Sequence, residues 1–230
     1  MTARYALYLV PPADTALWNR ACRWLGRDPE SGDLPQQPGM PGFSPDALRE
    51  ITKTAAGYGF HGTLKAPFHL AAGVDEREVM HRAERIAETA HRFTMPPLRV
   101  ADLNGFLALR PDGEDASLNA LAEQVVVTTD DLRAPMDAGE LARRNAAGLD
   151  ARQRELLERW GYPYVLDQFR FHMTLTRRLD AAEDAKLRPW LEGWFRDALA
   201  AGPHAVDLGV FVQPSAAADF VLRRRFRLRG

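Results

Sequence analysis

The chain has 230 residues, of which 46% are hydrophobic and 27% charged, an ordinary globular composition that excludes the disordered and fibrous classes. Its 30 Lys and Arg against 31 Asp and Glu leave a formal net charge of -1, so overall charge gives no pull towards nucleic acid or an anionic membrane. Any phosphate binding must come from local placement of charge.

Residues 4–10 read as a strand stopped by Pro11-Pro12. Asp14 or Thr15 caps a helix to about Leu25. Cys22, the one cysteine, sits in its apolar pattern as a buried inert thiol, and a lone cysteine excludes an internal disulfide and multi-thiolate zinc sites. Residues 26–45 carry several glycines and prolines without periodicity and read as a loop. A second helix follows Ser44-Pro45 and ends near Gly57. Residues 58–65 are a strand candidate, 75–93 a helix, and 97–110 two short strands around Asn104-Gly105. From Ser117 to Trp160 the pattern is mostly helical, with Val125-Val126-Val127 open to a strand reading. Residues 168–176 read as a strand, about 181–200 as a helix, and 205–213 with 218–228 as a hairpin. No basic stretch followed by a long apolar core opens the chain, so neither a signal peptide nor a membrane span is expected. The expected protein is cytoplasmic and monomeric.

One short duplication stands out. Phe60-His61-Gly62-Thr63-Leu64 and Phe171-His172-Met173-Thr174-Leu175 share the pattern Phe-His-x-Thr-Leu, about half a chain length apart. Strand alternation sends Phe60 and Leu64 to one face and His61, Thr63 and Lys65 to the other. In the second copy Phe169, Phe171, Met173 and Leu175 share an apolar face, opposite Arg170, His172, Thr174, Thr176 and Arg178. Each polar face thus offers an imidazole, a hydroxyl and a cation. A neutral imidazole takes a proton from water and a protonated one gives a proton to a leaving alkoxide, both forms being accessible near neutrality. The threonines donate to phosphoryl oxygens, and Lys65 and Arg178 stabilise negative charge, so no metal or other cofactor is required. A lone His-x-Thr on a strand is usually structural; two copies in one register point to function.

These residues resemble the 2H phosphoesterase superfamily, defined by two His-x-[Thr/Ser]-x motifs, and more closely its DUF1045 family, associated with phosphonate metabolism. Arg4 through Tyr8 with Pro11-Pro12, Leu17-Trp18, Trp24 through Asp28, Tyr58 through Phe68 and Phe169 through Leu175 carry the resemblance; residues 110–160 contribute least. It implies an α+β fold over residues 1–230 as one bilobed domain. Two pseudo-symmetric lobes would face a central cleft with antiparallel sheets, with helices outside. It assigns His61 and His172 as the acid/base pair and Thr63 and Thr174 as phosphate-orienting hydroxyls. The activity it implies is hydrolysis of a cyclic phosphodiester. The expected partner is a small phosphorylated substrate, either 5-phosphoribosyl 1,2-cyclic phosphate or a 2',3'-cyclic nucleotide. A 2'-5' ligase or cyclic phosphodiesterase acting on RNA ends is the second reading, disfavoured by the near-neutral charge. A non-catalytic phosphate-binding module is the third.

His69, His81, His91 and His204 are ordinary surface or packing histidines by their spacing, which forms no metal pair. In Arg223-Arg224-Arg225-Phe226-Arg227, alternation puts Phe220, Leu222, Phe226 and Leu228 on one face and Arg223, Arg225 and Arg227 on a charged outer face that protects an edge strand. Arg224 falls on the apolar face and is a candidate for reaching the cleft. Tyr8 and Tyr58 are candidate cleft-lining residues, although packing is the commoner role for such side chains.

Overall fold

A computed structural model of the chain describes residues 3–90, 95–113, 115–145, 148–202 and 205–229. Its frame is one seven-stranded sheet in the order β3-β4-β5-β2-β1-β6-β7, antiparallel at every pairing. The strands are β1 (Arg4–Val10), β2 (Gly62–Phe68), β3 (Leu98–Leu103), β4 (Phe106–Pro111), β5 (Met173–Arg178), β6 (Asp207–Gln213) and β7 (Val221–Arg227). The fold is α+β. The sheet has two halves, β3-β4-β5 and β2-β1-β6-β7, which meet at β5 and β2.

The helices are α1 (Ala16–Leu25), α2 (Pro45–Tyr58), α3 (Glu76–Thr89), α4 (Ala116–Thr128), α5 (Ala138–Asn145), α6 (Ala151–Trp160) and α7 (Ala181–Ala200). Their starts follow the expected capping chemistry. The Thr15 and Ser44 hydroxyls accept from the Trp18 and Ala47 amides, and Pro45 opens α2 where no amide is needed. Asp180 and Glu183 form a capping box on α7. Val125, Val126 and Val127 lie in α4, so the helical alternative is the correct one. Leu118, Leu121, Ala122 and Val125 form a buried face at helical spacing there, which outweighs the β-propensity of three valines. Asn104 and Gly105 both have positive φ, 53° and 92°, and close the β3–β4 hairpin as a primed turn whose twist suits the strands.

Two expected strands begin later than their patterns indicate. α2 runs to Tyr58 and β2 starts at Gly62, so Tyr58, Phe60 and His61 precede the ladder. β5 starts at Met173, with a short 3₁₀ turn at Leu166–Gln168 and extended chain at Phe169 through His172. In both copies the histidine is therefore the residue before the strand. Apolar alternation survives the loss of ladder bonds: Phe60, Leu64, Phe169, Phe171, Met173 and Leu175 are all buried.

Two β-bulges reverse expected faces. Between β1 and β2, Tyr8 is opposite Thr63 and Leu7 opposite Lys65, so the register slips by one residue. Lys65 therefore shares the face of Leu7 rather than that of Tyr8 and Thr63. Between β6 and β7, Phe211 is opposite Leu222 but Val210 is opposite Arg224. Leu222 and Phe226 thus lie on opposite faces, both covered, instead of sharing one. No helix among the described residues is long and apolar enough to cross a membrane.

Candidate functional site

β2 and β5 touch through a single described register pair, Gly62 opposite Met173. Antiparallel register about that pair sets His61 opposite Thr174 and Thr63 opposite His172. The duplicated motifs thus form a crossed square of two imidazoles and two hydroxyls at the junction of the half-sheets. Gly62 is required for this approach, because a Cβ there would stand 2.2 Å from Cε2 of Phe171.

The two imidazoles are held alike. His61 Nδ1 is 2.9 Å from the Gly59 carbonyl and His172 Nδ1 is 2.8 Å from the Arg170 carbonyl, each two residues back. A carbonyl only accepts, so each Nδ1 carries the proton and donates it. The Nε2 lone pair of each neutral ring is left for other partners. In His61 it accepts from the Thr63 hydroxyl at 3.1 Å. Burial pushes the His61 pKa down to about 4, against the favourable Gly59 carbonyl, and the charge of His172 lowers it further. Burial also lowers His172, opposed by the Arg170 carbonyl and aided by the Arg110 cation. Both shifts favour the neutral ring at pH 7.

Aromatic walls fix the rings. Tyr8 stacks on His61 with centroids 3.7 Å apart and planes 19° apart. Tyr58 lies 6.1 Å from the same ring and stacks on Phe220 at 5.1 Å. Phe106 packs 5.7 Å from His172.

Two adjoining cavities open on the square. One, of about 450 Å³, is lined by Tyr8, Tyr58, His61, Thr63, Thr174 and Arg178. The other, of about 420 Å³, is lined by Thr63, Phe106, Tyr162, Arg170, His172 and Arg178. Thr63, Phe106, Tyr162 and Arg178 belong to both. Seven of the nine expected site residues therefore meet here: His61, His172, Thr63, Thr174, Arg178, Tyr8 and Tyr58.

Lys65 and Arg224 do not, and the bulges are the reason. Lys65, 3% exposed, turns away from the square to donate to the Val126 carbonyl at 3.3 Å and to Asp130 at 3.1 Å. Asp130 is shared with Arg133 at 3.1 Å. Burial lowers the Lys65 pKa, opposed by the Asp130 charge. Burial also works against ionised Asp130, but Arg133 and Lys65 outweigh it and hold its pKa low. Arg224 lies over Phe226 and faces Glu84 of α3 at 3.8 Å, away from both cavities. Arg225, expected on the charged outer face, is half-buried over Trp18 and bonded to Glu30 and the Pro11 carbonyl. Thr176 lines the first cavity, and its hydroxyl accepts from the Leu107 amide at 2.9 Å, filling the ladder where β5 bulges against β4. Of the remaining histidines, His91 and His204 lie outside the described residues, and His69 meets the Ala3 carbonyl at 3.1 Å. Among the described residues no three His, Cys, Asp or Glu side chains group as a metal site.

Three site residues escaped the sequence reading. Tyr162 follows Gly161, whose left-handed cap (φ 75°) ends α6 and turns the chain into the cleft. Arg144 and Arg133 hold that turn through the Gly161 and Arg159 carbonyls at 2.9 and 3.2 Å. Its signal was the helix-ending Gly in Trp160-Gly161-Tyr162. Phe106 and Arg110 lie on the face of β4 that Ala108 shares with Thr174. The pairing of Leu109 with Met173 brings Arg110 opposite His172. Arg110 Nε is buried with no hydrogen-bond partner among the described residues.

Comparison with known proteins gives three findings. The chain is 40% identical over 231 aligned residues to "Ribose 1,5-bisphosphate phosphokinase PhnN" of Janthinobacterium sp. (strain Marseille), covering 99% of this chain and 51% of that protein. It is 36% identical over 226 residues to the protein of the same name from Laribacter hongkongensis (strain HLHK9), covering 96% of this chain and 51% of that one. The chain thus spans about half the length of these curated relatives. A solved structure described as "Crystal structure of phosphoesterase" aligns over 100% of both chains at 12% identity with a TM-score of 0.42, too low for any structural argument. The model of the family described as "Protein of unknown function (DUF1045)" matches residues 63–221, which take in Thr63 and all of the second motif, and the chain belongs to that family.

Proposed function

We propose that the cleft hydrolyses a cyclic phosphodiester of a small phosphorylated ribose, without a metal, by the two-histidine chemistry of the 2H phosphoesterases. The observation that carries this reading is the matched hydrogen bonding of the two rings. Each Nδ1 is committed to the carbonyl two residues back, which leaves each Nε2, that of His61 beside the Thr63 hydroxyl, as the nitrogen that handles a proton in one cleft.

His61 is the base. Its imidazole is neutral, wedged against Tyr8, and its Nε2 takes a proton from water as the water oxygen bonds to phosphorus. His172 is the acid, because a phosphodiester anion bound beside it raises its pKa towards neutrality. It gives the Nε2 proton to the sugar oxygen as the phosphorus–oxygen bond breaks. Thr63 and Thr174 donate to the non-bridging oxygens, where charge builds up.

With 5-phosphoribosyl 1,2-cyclic phosphate, breaking the bond to O2 leaves the phosphate on C1 and gives ribose 1,5-bisphosphate. That compound is named in the description of the two kinase relatives. Those relatives are about twice as long as this chain, which fits a diesterase part beside a kinase part that consumes its product. A kinase reading of this chain itself has less support. It contains no G-x-x-x-x-G-K-[Ser/Thr] phosphate loop, the commonest way for such a loop and helix to hold a nucleotide.

The test is turnover of 5-phosphoribosyl 1,2-cyclic phosphate and of a 2',3'-cyclic nucleotide in the presence of EDTA. His61→Gln and His172→Gln are each expected to lower kcat by about 10²- to 10⁴-fold with the circular dichroism unchanged. Full activity in either variant, or loss of activity on chelation, defeats the reading.

A further inference from the structure

We infer that the cavity on the His172 side is a subsite for a second, terminal phosphate of the substrate, held by Arg170 and Arg178. This rests on the two-histidine reading of the cleft. The reaction itself needs one phosphoryl group, at the square of His61, Thr63, His172 and Thr174. The cavity beyond it, about 420 Å³, extends past His172 to the Asn104 turn on one side and to Gln168 on the other. That space serves no step of the chemistry.

Its charge is the telling property. The whole chain carries slightly more acids than bases, yet neither cavity is lined by any carboxylate among the described residues. Elsewhere arginines are neutralised: Arg82, Arg152 and Arg188 each hold a carboxylate within 3.2 Å. Arg178 lines both cavities, and its guanidinium has no hydrogen-bond or ion-pair partner among the described residues. Arg170 is braced by the Asp167 and Phe169 carbonyls at 3.2 and 2.7 Å, both through Nη1. Its Nε and Nη2 are unused, and no carboxylate neutralises it. Guanidinium groups left charged on a cavity wall match a phosphate monoester, whose oxygens accept paired donors.

The rest of the lining suits a sugar between the two phosphates. Phe106 and Tyr162 stand where the cavities meet. Tyr162 is buried enough to push its hydroxyl pKa up to about 12. Tyr164, edge-on to it at 5.6 Å, adds to the wall. A pentose bearing a cyclic phosphate and a terminal phosphate fits cavities of this size; a following nucleotide of an RNA chain would have to pass this wall.

The experiment compares ribose 1,2-cyclic phosphate with and without a 5-phosphate, and a dinucleotide ending in a 2',3'-cyclic phosphate whose second phosphate is an internal diester. The wild-type protein is expected to favour the 5-phosphorylated sugar by at least about tenfold in kcat/KM. Arg170→Gln and Arg178→Gln are each expected to lower that value, mainly through KM, about ten- to hundredfold more than they lower the value for the 5-hydroxyl compound. Equal wild-type kcat/KM for the two sugars, equal losses on both in the variants, or preference for the dinucleotide overturns the subsite. Calorimetric binding of ribose 5-phosphate separates the subsite from the chemistry. Binding that depends on both arginines upholds the subsite even if no cyclic diester turns over, an outcome that would defeat only the diesterase reading. Absence of binding overturns the subsite.

Discussion

Gly62 lies beneath the ring of Phe171, close enough that a methyl group at 62 would overlap the ring's Cε2 and Cζ. Each residue belongs to one copy of the duplicated motif, and the contact sits at the single described register pair between the half-sheets. His61 and Thr63 flank Gly62 in the chain, and His172 follows Phe171. Whatever parts these two residues moves all four polar groups of the square together.

Gly62→Ala is therefore expected to weaken both fold and site. Overpacking of a closed contact costs about 1–3 kcal/mol, and the strands cannot close without moving the ring. Urea unfolding should show a lower midpoint, with turnover falling as well. Phe171→Leu in the same chain makes room and should recover much of the stability. If the double variant is no better than the single, the ring contact is not what keeps residue 62 a glycine.

Lys65 and Thr63 are two residues apart and are expected to respond in opposite ways. Lys65→Met removes one cation from a buried group with Asp130, where Arg133 remains as a second partner. The expected cost is about 3 kcal/mol or less, with kcat preserved. Thr63→Val removes the hydroxyl that reaches His61 Nε2. It should leave stability within about 1 kcal/mol and lower kcat about tenfold or more. Parallel unfolding curves and rate measurements check both. A large rate loss in Lys65→Met with stability intact would return Lys65 to the cleft.

The His61 pKa ties stability to acid. In the folded protein burial holds it at about 4 against an ordinary value of 6.5. Between those values the unfolded chain binds the extra proton and the folded one does not. The stabilising contribution is therefore complete above pH 6.5, falls as pH drops towards about 4, and changes no further below that. His61→Gln should flatten the decline of unfolding free energy between pH 7 and 4. An unaltered slope would show that the ring is not held neutral. For the same reason the acid limb of kcat/KM, which reports the free enzyme, should lie well below the ordinary histidine range.

The chemistry of the site was legible because it is written locally. Phe-His-x-Thr-Leu repeats in the sequence, and alternation correctly buried Phe60, Leu64, Phe171 and Leu175. Capping residues marked α1 and α2 for equally local reasons. Lys65 and Arg224 were misplaced because alternation assumes an unbroken ladder. A bulge adds one residue to one strand, and nothing in the residues themselves marks it. Tyr162 and Arg110 were out of reach for another reason. Each comes to the site by long-range placement, Tyr162 to the cavity wall through the cap of α6 and Arg110 to the neighbourhood of His172 through its register with β5. A single sequence without strand pairing does not contain that information.

Arg110 provides the sharpest test of the proton roles. Register brings it opposite His172, and its positive charge disfavours protonation of that imidazole. Its Nε is buried without a partner among the described residues, so its neutral replacement strands no group bonded to that atom. Arg110→Met should raise the His172 pKa, seen directly by NMR titration of the ring. If His172 is the acid, it must be protonated to act, and loss of that proton sets the basic limb of the pH–rate profile. The basic limb of kcat/KM should then move to higher pH, while the acid limb, set by His61, stays in place. A shift of the acid limb alone would exchange the two roles. An unmoved profile, with an unmoved His172 titration, would show that the Arg110 cation does not act on the ring at all.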